Sequence, residues 1–165
     1  MDPAKENGEY VTITNKSQLL SITPEQAKKI KYLRIENMKI DFDFGDFFLE
    51  KCNEFDSLYF YKCEFVSCAL FNVNYSDVLG CVNCALTSDS AWSFIGCISQ
   101  WDYIKTLDLS KNKFGEDPEK LYSWMFNSIF GVISIGNLIL TDNGFSEEWK
   151  SKISSCFNKF TNLTI

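Results

Sequence analysis

One eleven-residue pattern recurs along this chain and constrains its fold more than any other feature. Apolar residues fall at positions 1, 4, 6 and 11, and position 9 is mostly Asn or Cys. The pattern is clearest in segments 55–65, 104–114 and 135–145, and it is weaker in 30–40 and 76–86. The sixth and last copy is cut short and holds only positions 1, 4 and 6, which are Phe160, Leu163 and Ile165.

This pattern resembles L-x-x-L-x-L-x-x-N/C-x-L, the repeat of leucine-rich repeat proteins of the ribonuclease-inhibitor-like or cysteine-containing type. The spacing is irregular, because position 4 falls at residues 33, 58, 79, 107, 138 and 163. The resemblance implies an α/β fold, a short right-handed solenoid. Its parallel β-sheet would form the concave face, and helices or irregular segments the convex face. Such proteins mainly bind other macromolecules.

The chain has a length typical of one domain, and we assign residues 1–165 to a single leucine-rich repeat domain. We expect residues 1–9 to be flexible and residues 10–30 to form an N-terminal cap. Within that cap Val11 and Ile13 fit a degenerate opening strand, and residues 23–26 (Thr-Pro-Glu-Gln) predict a helix start with a capping box. The pattern does not fix repeat boundaries between residues 66 and 103.

Three further helix starts are predicted at residues 88–90, 117–119 and 146–148, where capping or acidic residues precede an apolar rhythm. Segment 41–46 (Asp-Phe-Asp-Phe-Gly-Asp) carries spaced carboxylates. Its register does not match a calcium-binding EF-hand loop, so we expect a solvated turn with inward Phe side chains.

Seven cysteines raise the question of a disulfide scaffold. Their number is odd, the polar start lacks the apolar core of a signal peptide, and Cys63 and Cys84 both fall at position 9. Reduced structural thiols are therefore expected. Cys81 and Cys84 form a C-x-x-C, which leaves open a metal or redox pair, but positions 6 and 9 of the pattern also explain both as core residues.

Several classes of function are disfavoured by composition. The absence of histidine removes Ser-His-Asp and Cys-His catalysis, and no Gly-rich phosphate loop occurs, so we expect no enzyme, no cofactor and no metal site. A net charge of −6 with Arg34 as the one arginine disfavours nucleic acid as partner. No apolar run approaches membrane-spanning length, so we expect no membrane partner and a cytoplasmic location, or delivery into a host cytoplasm.

The candidate site follows from the alternation of side chains along a strand, which places positions 3, 5 and 7 on the concave face and positions 4 and 6 in the core. Tyrosine and arginine at these positions are residue types enriched in binding hot spots. The alternative is an ordinary sheet face whose tyrosines serve as β-formers. The candidate partner-binding residues are Tyr32, Arg34, Tyr59, Tyr61, Asp108 and Thr141.

These features predict a non-enzymatic protein-binding module, such as an inhibitor, an immunity protein or an effector, that grips one protein partner on its concave face. The alternative is a structural or accessory subunit of a larger complex, docked through its C-terminal edge, because Leu163–Ile165 would form a terminal strand with an open edge. The expected state is a monomer or weak self-association.

Overall fold

The structure is a computed structural model that describes residues 8–51, 54–66, 73, 75–90, 98, 101–124, 134–155 and 160–165. Its main feature is an open sheet in which every strand runs parallel to its neighbours. The strands, in spatial order, are β1 (Glu9–Ile13), β2 (Ile30–Glu36), β4 (Glu54–Tyr61), β6 (Tyr75–Val82), β7 (Tyr103–Asp108), β8 (Ser134–Ile139) and β9 (Phe160–Thr164). A second, two-stranded parallel sheet pairs β3 (Lys39–Ile40) with β5 (Glu64–Phe65).

Short helices lie between strands that are consecutive in the chain. They are α1 (Lys16–Ser21), α2 (Pro24–Ala27), α3 (Phe42–Glu50), α4 (Pro118–Trp124), α5 (Glu147–Ser155) and a 3₁₀ helix at Phe114–Glu116. The chain is therefore an α/β protein with a parallel sheet that does not close into a barrel, as the sequence predicted at this level of detail.

The strands align in the register that the eleven-residue pattern predicts. Residues at position 4 stand side by side across the whole sheet, and Val11 of β1 pairs with the first of them, so the predicted opening strand is present. The row continues through Leu33, Leu58, Leu79, Leu107, Leu138 and Leu163.

Positions 4 and 6 also lie in the core, as predicted. Leu107, Leu109, Leu138 and Leu140 are all buried, with no more than 1% of their surface exposed. The prediction that they are buried and that their strands are neighbours and parallel is confirmed. Leu163, in the last strand of the order, is only half-buried.

Segment 41–46 differs from its prediction, because it forms the start of helix α3 and not a turn. The Asp41 side chain accepts the Asp43 backbone N–H at 3.2 Å and caps the helix. Phe44, Phe47 and Phe48 then follow at three- and four-residue spacing and are buried. The inward direction of the phenylalanines was predicted correctly, but their helical spacing was not recognised.

The other helix starts agree with the sequence where the structure describes them. Thr23 caps α2 with a full capping box, and α4 and α5 begin at Pro118 and Glu147. Residues 88–90 are helical, while the continuation predicted through Trp92 and Phe94 lies outside the described residues. Helix α1 was not predicted, although Asn15 and Gln18 form its capping box.

The turn after each of five strands repeats one backbone conformation. Position 8 of the pattern has a φ between 53° and 59° in all five, in the left-handed region. The backbone N–H at this position donates to the carbonyl at position 7 of the next copy of the pattern, at 2.9–3.1 Å in four of the turns. The residues concerned are Asn37, Lys62, Asn83, Lys111 and Asp142.

Position 9 holds a row of buried side chains that satisfies the backbone of these turns. Asn112 Nδ2 donates to the carbonyl oxygens of Cys81 and Leu109, at 2.7 and 2.9 Å, and its Oδ1 accepts the N–H groups of Cys84 and Leu86, at 2.9 and 3.1 Å. Asn143 repeats the donor pattern one turn further along.

The thiols at position 9 play the same part in the earlier turns. Cys63 Sγ lies 3.4 Å from the Ile35 carbonyl oxygen, and Cys84 Sγ lies 3.5 Å from that of Phe60. Cys63, Cys81 and Cys84 are buried and free, as predicted for these three. The other four cysteines lie outside the described residues.

Candidate functional site

Residues at positions 3 and 5, and at position 7 where the strand extends that far, lie on the sheet face opposite the buried leucines, which we call the open face. The register places Arg34 of β2 beside Tyr59 of β4, and Glu36 beside Tyr61. Tyr32, on the same strand as Arg34, pairs with Ser57. The structure therefore brings Tyr32, Arg34, Tyr59 and Tyr61 together on two neighbouring strands, as the sequence predicted.

Arg34 is held in place by two neighbours. Its Nε pairs with a Glu36 carboxylate oxygen, and its guanidinium carbon lies 4.9 Å from the centre of the Tyr61 ring. The Lys62 ammonium lies 5.3 Å from the same ring centre. Each cation–π contact at such exposed sites contributes about 0.5–1 kcal/mol. The Tyr61 ring is therefore oriented by contacts within the protein itself.

Tyr59 occupies space that a glycine leaves open. A Cβ atom added at Gly80, on the neighbouring strand, would lie 2.1 Å from two atoms of the Tyr59 ring. A side chain at position 80 would therefore displace the ring. Partial burial raises the pKa of the Tyr59 hydroxyl, the Asp108 carboxylate raises it further, and Arg34 lowers it. The hydroxyl thus stays protonated at neutral pH and can donate a hydrogen bond.

Tyr10 belongs to the same group, although it was not predicted. Its ring stacks on that of Tyr32, with centroids 4.0 Å apart and planes within 7° of parallel, and it is 70% exposed. Extending the pattern back through Val11 would have placed Tyr10 at position 3, beside Tyr32. We refer to Tyr10, Tyr32, Arg34, Tyr59 and Tyr61 as the tyrosine cluster.

A shallow depression lies within the tyrosine cluster. Its lining combines aromatic, aliphatic and hydroxyl groups from three neighbouring strands: Tyr10, Val11, Thr12, Tyr32, Leu33, Arg34, Ser57 and Tyr59. Partial desolvation raises the pKa of Tyr32, and the neighbouring Tyr10 and Asp56 raise it further. The depression therefore offers ring faces and neutral hydroxyl donors in one place.

The two remaining predicted residues occupy different places. Asp108, on β7, pairs with Gly80 of β6. Its carboxylate acts electrostatically on Tyr59, so Asp108 adjoins the tyrosine cluster. Thr141 lies in the turn beyond β8, where its carbonyl accepts the Lys111 N–H at 2.9 Å. The structure does not bring Thr141 to the cluster, because β6 and β7 separate its strand from β4.

The three cysteines that the structure describes have thiols with raised pKa values. Burial raises the pKa of the Cys84 thiol to about 12, and it raises the pKa of Cys63 and, more strongly, of Cys81. These thiols stay protonated at neutral pH, and the thiol form is a poor nucleophile.

Within the described ranges no three His, Cys, Asp or Glu side chains gather as metal ligands. Nor is any helix there long and apolar enough to cross a membrane.

No family model matches the chain, and comparisons with curated proteins and with solved structures find no match either. The function is therefore inferred from the side chains of the open face.

Proposed function

We propose that this protein is a non-enzymatic binding protein that holds one protein partner on the open face of its sheet, with the tyrosine cluster as the energetic centre of the contact. The observation that carries the proposal is the gathering of four tyrosines and one arginine on three neighbouring strands. Tyrosine and arginine are enriched among the few residues that dominate binding energies.

The tyrosine cluster has a second property of a binding surface, which is that its side chains are already oriented. Tyr10 stacks on Tyr32, Tyr61 lies beside Arg34, and Tyr59 fills the gap at Gly80. Ordering a free side chain on binding costs about 0.5–1.5 kcal/mol. Side chains that are already ordered avoid most of that cost, so more of the contact energy contributes to affinity.

We further propose that the chain is a leucine-rich repeat protein. Three observations support this assignment: the in-register row of leucines, the left-handed residue at position 8 of each turn, and the Asn and Cys side chains that bind the turns. A repeat protein of this kind would present the open face as a concave surface. An inhibitor, an immunity protein or an effector, acting in a cytoplasm, is consistent with such a surface.

The test is a comparison of two tyrosine variants against the natural partner, obtained by affinity capture from the native cell and then purified. Tyr59→Ala should weaken binding by about 2 kcal/mol or more, because it removes a central ring of the tyrosine cluster. Tyr103→Ala is the matched control, since Tyr103 is 42% exposed at the start of β7 and lies outside the cluster.

Isothermal titration calorimetry measures both affinities, and thermal unfolding checks that both variants keep the melting temperature of the parent. A Tyr59→Ala variant that is folded and binds like the control would refute the proposed site.

A second candidate function is that of a subunit docked through β9. In its favour, β9 is the last strand in the sheet order, and none of the described residues pairs with its outer edge. Unpaired backbone N–H and C=O groups at an edge can accept a further strand. Solution mass separates the candidates, because docking through this edge favours dimers or insolubility in the isolated chain, whereas binding on the open face is compatible with a stable monomer.

A further inference from the structure

We propose that the partner places a cationic side chain, Arg or Lys, against the exposed side of the Tyr59 ring and next to the Asp108 carboxylate. This inference rests on the proposed function and specifies the chemistry that the open face recognises. It starts from the position of Asp108, which is half-buried on β7 and pairs with Gly80 of β6.

The absence of a side chain at Gly80 brings the two groups of this contact together. Neighbouring strands are about 4.8 Å apart, so Tyr59 and Asp108 stand about 10 Å apart across the intervening strand. Gly80 has no side chain between them, and the Tyr59 ring occupies the space that such a side chain would take. A ring face and a carboxylate thus border one small region, which is the arrangement that guanidinium and ammonium groups favour.

Asp108 has no cation of its own among the described residues. Its Oδ1 accepts the Ser110 backbone N–H at 3.0 Å, and none of the ion pairs formed by described residues includes it. Arg34, the nearby cation of the tyrosine cluster, is already paired with Glu36. A half-buried carboxylate without a counter-ion gains from a partner's positive charge, because part of its surface is already removed from water in the free protein.

The net charge of the whole chain also favours a positively charged partner. A net charge of −6 attracts a basic partner over long range and repels an acidic one. The occupant that fits the open face is therefore a protein surface with an exposed Arg or Lys that enters beside Tyr59.

The experiment selects binders from a library of random displayed peptides against the full chain and against three variants. Asp108→Asn removes the charge but keeps an oxygen that can accept the Ser110 N–H, so the fold should be retained. Asp142→Asn is the matched control, because it removes the same charge from an exposed turn whose left-handed backbone Asn tolerates. Tyr59→Ala reports whether the selected peptides use the tyrosine cluster.

The proposal predicts that peptides selected on the parent chain are enriched in Arg or Lys. They should bind Asp142→Asn like the parent but bind Asp108→Asn about tenfold or more weakly. Their affinity should also fall between about 0.1 and 1 M salt, where the screening length drops from roughly 10 to 3 Å.

Three outcomes would overturn the inference, and they bear differently on the proposed function. Peptides that require Tyr59 but show no preference for cations would refute the cation subsite and leave the proposed function intact. Peptides that bind the Tyr59→Ala variant as well as the parent would count against both, and so would a selection that enriches no peptide.

Discussion

The buried amide at position 9 of the fourth repeat offers the sharpest test of how the fold is held together. Asn112 is only 6% exposed, and its side chain serves two adjacent turns at once. Its Oδ1 accepts the backbone N–H groups of Cys84 and Leu86, while its Nδ2 donates to the carbonyl oxygen of Cys81. Asn112→Ala removes these hydrogen bonds without changing the apolar core.

The expected loss follows from the groups left unsatisfied. A buried polar group that loses its hydrogen-bond partner costs about 1–3 kcal/mol. Two orphaned N–H groups therefore predict a loss of about 2–6 kcal/mol, against a total stability of about 5–15 kcal/mol for a typical domain. Asn112→Cys should lose less, because Cys63 and Cys84 show that a thiol at position 9 can still donate to these turns.

Urea unfolding followed by tryptophan fluorescence measures the loss, with an unchanged m value as evidence that the unfolded state is comparable. Asn162→Ala is the matched control, since Asn162 is exposed and donates one hydrogen bond, to Asn137 Oδ1 at 2.7 Å. It should lose about 1 kcal/mol or less. If Asn112→Ala lost no more than this control, the position 9 side chains would not be holding the turns together.

Further predictions concern the leucine row, the thiols and the tyrosine cluster. Leu138→Ala should destabilise the fold by about 2–5 kcal/mol in the same assay; a change below about 1 kcal/mol would contradict the burial described above. Titration of the denatured chain without reductant should find all seven cysteines free, and five or fewer would indicate disulfides. The Cys84 thiol has a pKa of about 12 in the folded chain and about 8.5 in the unfolded chain. The free energy of unfolding should therefore fall as pH rises above about 8.5, because only the unfolded state loses this proton there. In the Cys84→Ala variant the fall should be shallower. Gly80→Ala should displace the Tyr59 ring and weaken partner binding, and unchanged affinity in a folded variant would show that the ring position is unimportant.

The register of the sheet could be predicted from sequence because a strand has a side-chain period of two. Once positions 4 and 6 are assigned to the core, neighbouring strands must align their leucines, and Leu107 indeed pairs with Leu138. The same alternation placed Arg34 beside Tyr59 on the open face. The single-domain assignment, the cap at residues 10–30 and the binding role of these side chains remain predictions.

Three features that were not predicted from the sequence each have a physical reason, namely helix α3, the left-handed turn residues and the role of Gly80. Helix α3 was not predicted, because Gly45 and the carboxylates of segment 41–46 favour a loop. In the structure the burial of the phenylalanines outweighs that local preference. The left-handed turn residues have no common side-chain type, since Lys62 and Lys111 occupy the same position as Asn and Asp. The role of Gly80 was not predicted, although a glycine inside a strand often marks a close approach, here that of Tyr59.

Hydroxyl-radical footprinting of the protein with and without its captured partner tests the central claim most directly, because tyrosine side chains report their own exposure. The partner should protect Tyr10, Tyr32, Tyr59 and Tyr61 and leave Tyr103 as reactive as in the free chain. Protection of β9 with an unprotected tyrosine cluster would contradict it and would favour docking through the sheet edge.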